Sequence, residues 1–184
     1  MTRDLNTRLA AVVPAAEVKL HLMQFADDGI VPNNPGLPTV LMRAVLAAAA
    51  PPDAIAARLE RSGWGGTWVW QVFPYHHYHP NAHEALVVAW GHAVLMLGGR
   101  HGERIEVSAG DAVVLPAGTG HRQLEASPDF TVVGAYPPGR EDLDTIRAGR
   151  PHDDAVTERI ASVVRPQTDP LFGPAGPLMT AWPG

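Results

Sequence analysis

The sequence predicts an all-β-dominated protein, a single small antiparallel barrel of the jelly-roll kind with a few peripheral helices. Three observations carry that expectation. Between Thr67 and Tyr136 the chain is a succession of short apolar runs cut off by Gly, Pro or charged turns, the pattern of antiparallel strands with tight connections. Helical spacing is confined to short stretches outside that block. Finally, 184 residues with 46% hydrophobic and 18% charged content suit one core, with no internal repeat and no linker that leaves room for a second domain.

Residues 1 to 15 are expected to form an N-terminal extension, and residues 16 to 184 one domain with a C-terminal helix and tail. Behind Thr2, Leu5, Leu9 and Val12 stand at helical spacing, so the extension is either a short helix or frayed chain. From Ala16 the pattern alternates, with Val18, Leu20 and Leu22 set against Lys19, His21 and Met23, which reads as a strand with His21 on its wetter side. Residues 27 to 38, dense in Asp, Gly, Asn and Pro, make a loop, and residues 39 to 46 another strand. Pro51-Pro52-Asp53 starts a helix that Asp53 can cap; Ile55 and Leu59 face the core, Arg58, Glu60 and Arg61 face water, and Gly63 ends it. Strands follow at about 67–77, 84–90, 92–97, 104–107, 111–115, 121–125 and 130–136, with residues 98 to 103 a turn that exposes His101. Past Pro137-Pro138-Gly139, Asp153 or Asp154 caps a helix striped by Val156, Ile160 and Val163, which Pro166 closes. The Pro/Gly-rich tail ends in an apolar run, residues 178 to 182, expected to add a strand to the barrel or to a partner subunit.

Composition narrows the function. A formal charge of -5 and a lone lysine, Lys19, leave no basic cluster for phosphate binding, so nucleic acid is not an expected partner. The absence of cysteine excludes disulfides, thiolate ligands and a cysteine nucleophile. No apolar run approaches the roughly 20 residues needed to cross a bilayer, and the early Arg3 and Asp4 make a poor signal peptide. The expected location is the cytoplasm, without a membrane partner.

Chemistry concentrates between His76 and Gly91. In a strand, His77 and His79 point to one face because side chains alternate, which places His76 on the other. A tight Pro80-Asn81 turn would return the chain so that Glu84, at the head of an apolar run, faces the same point from a neighbouring strand. Imidazole and carboxylate suit a borderline divalent metal: Fe, Mn, Ni, Cu or Zn. A further histidine comes from Gly110 to His121, where a short apolar strand ends in a Pro/Gly turn. His83 is expected at an exposed rim, and Glu125, four residues along a strand from His121, lies about 13 Å from it, too far to touch the metal.

These two stretches resemble the motifs of the cupins. His77, His79, Glu84 and Gly91 match the first motif, and Gly110, Pro116, Gly118 and His121 the second, each with the family's internal spacing. The sequence departs from the pattern at Gln71, where a glycine is usual, and at Glu125, where an asparagine is usual; neither position supplies a ligand. The flanking text, including Pro32-Asn33-Asn34-Pro35, Gly63-Trp64-Gly65-Gly66 and residues 129 to 137, resembles the bacterial YjlB-like cupins over roughly residues 24 to 182. The resemblance implies a cupin double-stranded β-helix and one divalent metal ion (Fe, Mn, Ni or Zn) held by His77, His79, Glu84 and His121.

Alternation proposes a pocket wall of Phe73 and Tyr75 beside His77, Leu86, Val88 and Trp90 beside Glu84, and Gln123 beyond His121. The resemblance implies a metal-dependent enzyme acting on a small organic molecule, with oxygenase-like or isomerase-like chemistry at a three-His, one-Glu centre. The alternative is a non-catalytic cupin that binds a metal or metabolite for sensing or storage. A homodimer is expected, since the terminal segments suit strand exchange across a two-fold interface.

Overall fold

The computed structural model describes residues 8–139 and 142–183. Its strands form two antiparallel sheets. One runs in the order β1 (Lys19–Met23), β2 (Thr39–Arg43), β8 (Ala112–Leu115), β5 (Glu84–Trp90), β10 (Thr131–Tyr136) and β3 (Gly65–Trp70). The other runs β11 (Ile146–Arg147), β4 (His77–Tyr78), β9 (His121–Ala126), β6 (His92–Leu97) and β7 (Glu103–Ser108). The expected all-β-dominated barrel is therefore the observed one.

Two apolar layers hold the sheets. Between them, Leu41, Leu86, Val88, Val113, Leu115 and Val132 of the first sheet meet Leu95, Leu97, Ile105 and Val107 of the second. On the first sheet's outer face, Val40, Met42, Ala85, Val87, Val114 and Val133 pack under helix α1 (Pro52–Arg61), through Ile55 and Leu59, and under Leu171, Leu178 and Trp182. Strand β5 is thus buried on both faces, which is why it reads as an unbroken apolar run instead of alternating with polar residues. Each fully buried Val or Leu contributes roughly 1.5–3 kcal/mol relative to exposure, so the strand that begins with Glu84 is clamped from both sides.

Several expectations change. The strand expected over residues 67 to 77 ends at Trp70, and β4 begins only at His77, because β3 and β4 belong to different sheets and the chain must cross between them. Pro74, which has no N–H to give to a ladder, lies in that crossing. For the same reason Glu84 does not reach the histidines from a strand next to theirs; β5 lies in the sheet opposite β4. Helix α1 is capped at Pro51 without a side-chain hydrogen bond, and Asp53 sits inside its first turn. Helix α2 (Asp154–Ala161) does have the expected cap, Asp153 accepting the Val156 N–H at 3.1 Å.

The tail is the largest correction. Residues 177 to 181 form a short helix, α3 (Pro177–Ala181), not a strand. Leu178 and Trp182, four residues apart, share one helical face and are buried against the outer layer of the first sheet. The Trp182 indole N–H donates to the Pro38 carbonyl at 2.8 Å. In this chain the tail therefore packs on its own barrel as a helix. At the other terminus, Leu5 lies outside the described residues. Residues 8 to 14 run along the barrel rather than as a helix, with Val12 bridging Leu46 and the Ala10 N–H donating to the Ala54 carbonyl at 3.1 Å.

Candidate metal centre

Two short elements of the second sheet and the first residue of β5 bring four buried side chains together. His77 of β4 and His121 of β9 are direct partners in the antiparallel ladder, with ring centroids 4.0 Å apart. His79 follows just past the end of β4, and ligand atoms of His77, His79 and His121 all lie within 4.8 Å of one another. From the opposite sheet, Glu84 Oε2 stands 3.3 Å from His79 Nε2 and 3.2 Å from His121 Nε2.

Backbone carbonyls fix the histidine tautomers. His77 Nδ1 faces the Tyr75 carbonyl at 3.2 Å, His79 Nδ1 the Asp144 carbonyl at 2.9 Å, and His121 Nδ1 the Thr119 carbonyl at 3.0 Å. A carbonyl can only accept, so each Nδ1 carries the proton and donates, leaving the Nε2 lone pairs to converge. Glu84 Oε2 is buried without a hydrogen bond among them. The three histidines are a group that could hold a metal ion, and the buried Glu84 oxygen beside two of them is a donor of the kind a divalent cation takes.

The electrostatics separate His77 from His79, and in the absence of a cation the Glu84 charge favours a proton on the His79 Nε2. Burial, and next the neighbouring His121, push His77 down to about 3, so its imidazole is neutral at physiological pH. Burial also acts to lower His79, but the Glu84 charge outweighs it and the His79 pKa is raised. Burial would lift Glu84, yet His79 and His121 hold the carboxyl below its ordinary range and keep it ionised. Tyr136, at the end of β10, is raised by burial and by the Glu84 charge, and keeps its phenolic proton.

A cavity of about 360 Å³ opens over this cluster. Phe73 and Leu86 line it, as the sequence suggests, but Tyr75, Val88 and Gln123 do not. Tyr75 stacks on Phe73 from behind, centroids 5.0 Å apart, beneath the Arg147 guanidinium. Val88 belongs to the core between the sheets, and the Gln123 N–H is tied to the Phe73 carbonyl at 2.9 Å. The wall also contains Trp68, Trp70, Val72, Tyr136 and Thr145, which sequence reasoning missed. Alternation along β10 carries a signal for Tyr136: Val132, Gly134 and Tyr136 share the inward face, whereas Val133 and Ala135 face the outer layer. Gly134 makes room there, since a Cβ would fall 2.0 Å from the Trp68 indole, whose N–H donates to the Tyr136 hydroxyl at 2.9 Å.

Of the remaining histidines, His83 departs from the expectation and His76 keeps to it. His83 is not at a rim but 1% exposed; its Nδ1 accepts the Ala117 N–H at 2.9 Å and its ring packs 4.9 Å from Trp182. It fastens the turn before His121 to the tail. His76 lies outside the cluster, pushed down to about 4 by burial and then by Arg122. Glu125 is exposed, 3.4 Å from Arg104.

This two-sheet barrel with its histidine cluster belongs to the cupins, and residues 70–129 match the profile of the cupin domain. Within that class the chain is similar to the uncharacterized protein YjlB of Bacillus subtilis (strain 168). The two are 42% identical over 160 residues, which is 86% of this chain and 93% of that protein. Solved structures that it resembles include an uncharacterized double-stranded β-helix protein from Klebsiella pneumoniae subsp. pneumoniae MGH 78578. That likeness has 16% identity and a TM-score of 0.39 over 82% of this chain and 100% of the other. Acireductone dioxygenase from Bacillus anthracis, with a cadmium ion in its active centre, is 21% identical, with a TM-score of 0.32 over 46% of this chain and 56% of that one. Among the described residues no helix is long and apolar enough to cross a membrane.

Proposed function

We propose that this cupin is a metal-dependent enzyme acting on a small organic molecule, with His77, His79, Glu84 and His121 as ligands of one divalent metal ion. The observation that carries the reading is the convergence of carbonyl-fixed histidines on an orphaned, buried carboxylate oxygen. When bound, Fe, Mn, Ni or Zn would supply a Lewis-acid centre with positions open to a substrate oxygen or to dioxygen, for oxygenase-like or isomerase-like chemistry.

The chain's own residues do the rest. The carbonyls of Tyr75, Thr119 and Asp144 hold the three rings in their ligating tautomer. The Tyr136 hydroxyl, held by the Trp68 N–H, offers a protonated oxygen beside Glu84. Largely apolar walls surround the space above the cluster, so a substrate that displaces the water there would strengthen the electrostatic interactions within it. Residues 16 to 184 act as one unit in this reading, with residues 1 to 15 its N-terminal extension, of which residues 8 to 14 lie against the barrel.

The test is metal content by elemental mass spectrometry on protein purified without a histidine tag, beside a His77→Ala, His121→Ala double variant. Near-stoichiometric metal in the first and none in the second is the expected result, followed by turnover in a screen of the loaded protein. No metal in either protein after reconstitution with Fe(II), Mn(II), Ni(II) and Zn(II) would overturn the proposal. Stoichiometric metal without turnover of any substrate class would leave a binding protein and remove the enzyme.

A further inference from the structure

Resting on the reading of the histidine cluster as the reactive centre, we infer that the cavity above it takes an uncharged, flat, ring-bearing molecule with an oxygen donor, a phenol- or enol-like compound, and discriminates against carboxylated or phosphorylated ones.

The walls carry this inference. Trp68, Val69, Trp70, Val72, Phe73 and Leu86 surround the space above the histidines, and among the described lining residues there is no Lys, Arg or Asp. The charge that does line it, Glu84, is negative and already faces His79 and His121. Arg147 stands 4.2 Å over the Tyr75 ring, and neither residue lines the cavity. An anionic group held between these walls, away from the centre and short of the mouth, would therefore lie against indole and phenyl without a counter-charge, which is strongly disfavoured. The polar groups in the wall, the Gln71 amide and the Tyr136 and Thr145 hydroxyls, are neutral and suited to hydrogen-bonding a hydroxyl or carbonyl oxygen.

A second observation concerns the mouth. Large apolar side chains exposed singly are ordinary, but Val69, Trp70 and Phe73 are all exposed and all line this one cavity, with Trp70 at 73%. A cluster of exposed apolar groups at a concave site marks a ligand surface. Indole and phenyl faces gain more from a ring, in offset or edge contact, than from a flexible chain. At about 360 Å³ the space is near the lower end of small-molecule sites, so the ligand has one ring or two.

The experiment compares 4-hydroxybenzamide with 4-hydroxybenzoate, matched in size and different in charge, by calorimetry on the full, untagged chain. One arm uses Zn(II)-loaded protein and one metal-free protein; a Trp70→Ala variant is run in both. The amide is expected to bind at least about tenfold more tightly than the benzoate, and Trp70→Ala to weaken the amide by about tenfold with unchanged zinc content and circular dichroism. Equal or tighter binding of the benzoate, no saturable binding of the amide in either arm, or indifference to Trp70→Ala would each overturn the inference. Failure to hold zinc would remove zinc from the metal-centre proposal and leave this inference to the metal-free arm, which still reads the charge preference of the walls.

Discussion

The Glu84 carboxylate stands 3.2 Å from Nε2 of His121, although the two residues belong to opposite sheets. The centre is therefore a clasp across the barrel, and its geometry depends on the two sheets keeping their separation. It also places a buried negative charge between two imidazoles whose Nδ1 protons are committed to carbonyls, so Glu84 draws either a proton onto a neighbouring Nε2 or a bound cation.

Glu84→Gln tests that dependence with almost no change of shape. Removing the charge while keeping the volume should weaken divalent-metal binding by at least about tenfold, measured by competition with a chromophoric chelator. Unchanged affinity would mean that the three histidines bind metal without the carboxylate.

Two glycines of the second motif predict a graded pair. Gly118 has φ +87°, and a Cβ there would fall 2.6 Å from Ile160 Cδ1 and 2.7 Å from the Asn33 carbonyl oxygen. Gly110 has φ +97° but nothing nearer its Cβ position than Leu46 at 3.9 Å. Gly110→Ala should thus cost about 1–2 kcal/mol, the backbone term alone, and Gly118→Ala about 3 kcal/mol or more once overpacking is added. Because the Gly118 N–H donates to the His79 carbonyl at 2.8 Å, the second variant should also lose metal. Urea unfolding of both, with metal analysis, checks the order; equal losses would mean that contacts at Gly118 relax freely.

How far the sequence exposes this protein depends on the range of the interaction involved. The spacing of His77, His79, Glu84 and His121 is local within each motif, so the cluster is legible before any fold is known. Strand β5 is legible too, because burial on both faces writes an unbroken apolar run. What alternation cannot tell is which sheet a strand joins. Thr67 to His77 reads as one strand because no residue states that the chain changes sheets near Pro74. His83 reads as exposed because its partners, Ala117 and Trp182, arrive from far along the chain. The tail held a usable signal in the four-residue spacing of Leu178 and Trp182, which belongs to a helix and not to the strand inferred from its apolar content.

His152 and Asp27 predict a pH dependence away from the centre. They lie 2.8 Å apart and tie the start of the second helix to the loop after β1. Burial acts to lower the His152 pKa, but the hydrogen bond and charge of Asp27 outweigh it and raise it. The folded-state value thus lies above that of the unfolded chain, so the pair stabilises the fold fully below about pH 6.5 and ceases to as the pH climbs past the folded value. With Asp27 about half exposed, the effect should stay within about 1 kcal/mol. Asp27→Asn should lower the urea midpoint at pH 6 and leave it unchanged at pH 9; a difference that persists at pH 9 would assign the loss to something other than the charged pair.

Asp169 makes the strongest prediction outside the site. It is 0% exposed, and its carboxylate accepts the backbone N–H groups of Leu171 at 2.8 Å, Phe172 at 3.1 Å and Leu178 at 2.9 Å, so one side chain satisfies both the turn before α3 and the first turn of that helix. Asp169→Ala would leave three donors without an acceptor, those of Leu171 and Leu178 buried and that of Phe172 partly so, a loss of about 3 kcal/mol. The damage should be local at first, freeing Leu178 and Trp182 from the outer layer and with them the packing of Trp182 on His83. Limited proteolysis should therefore cut the tail of the variant under conditions where the barrel survives, and the urea midpoint should fall. A variant with a protected tail and a loss below about 1 kcal/mol would show that water can replace the carboxylate and that the tail is held by its apolar contacts alone.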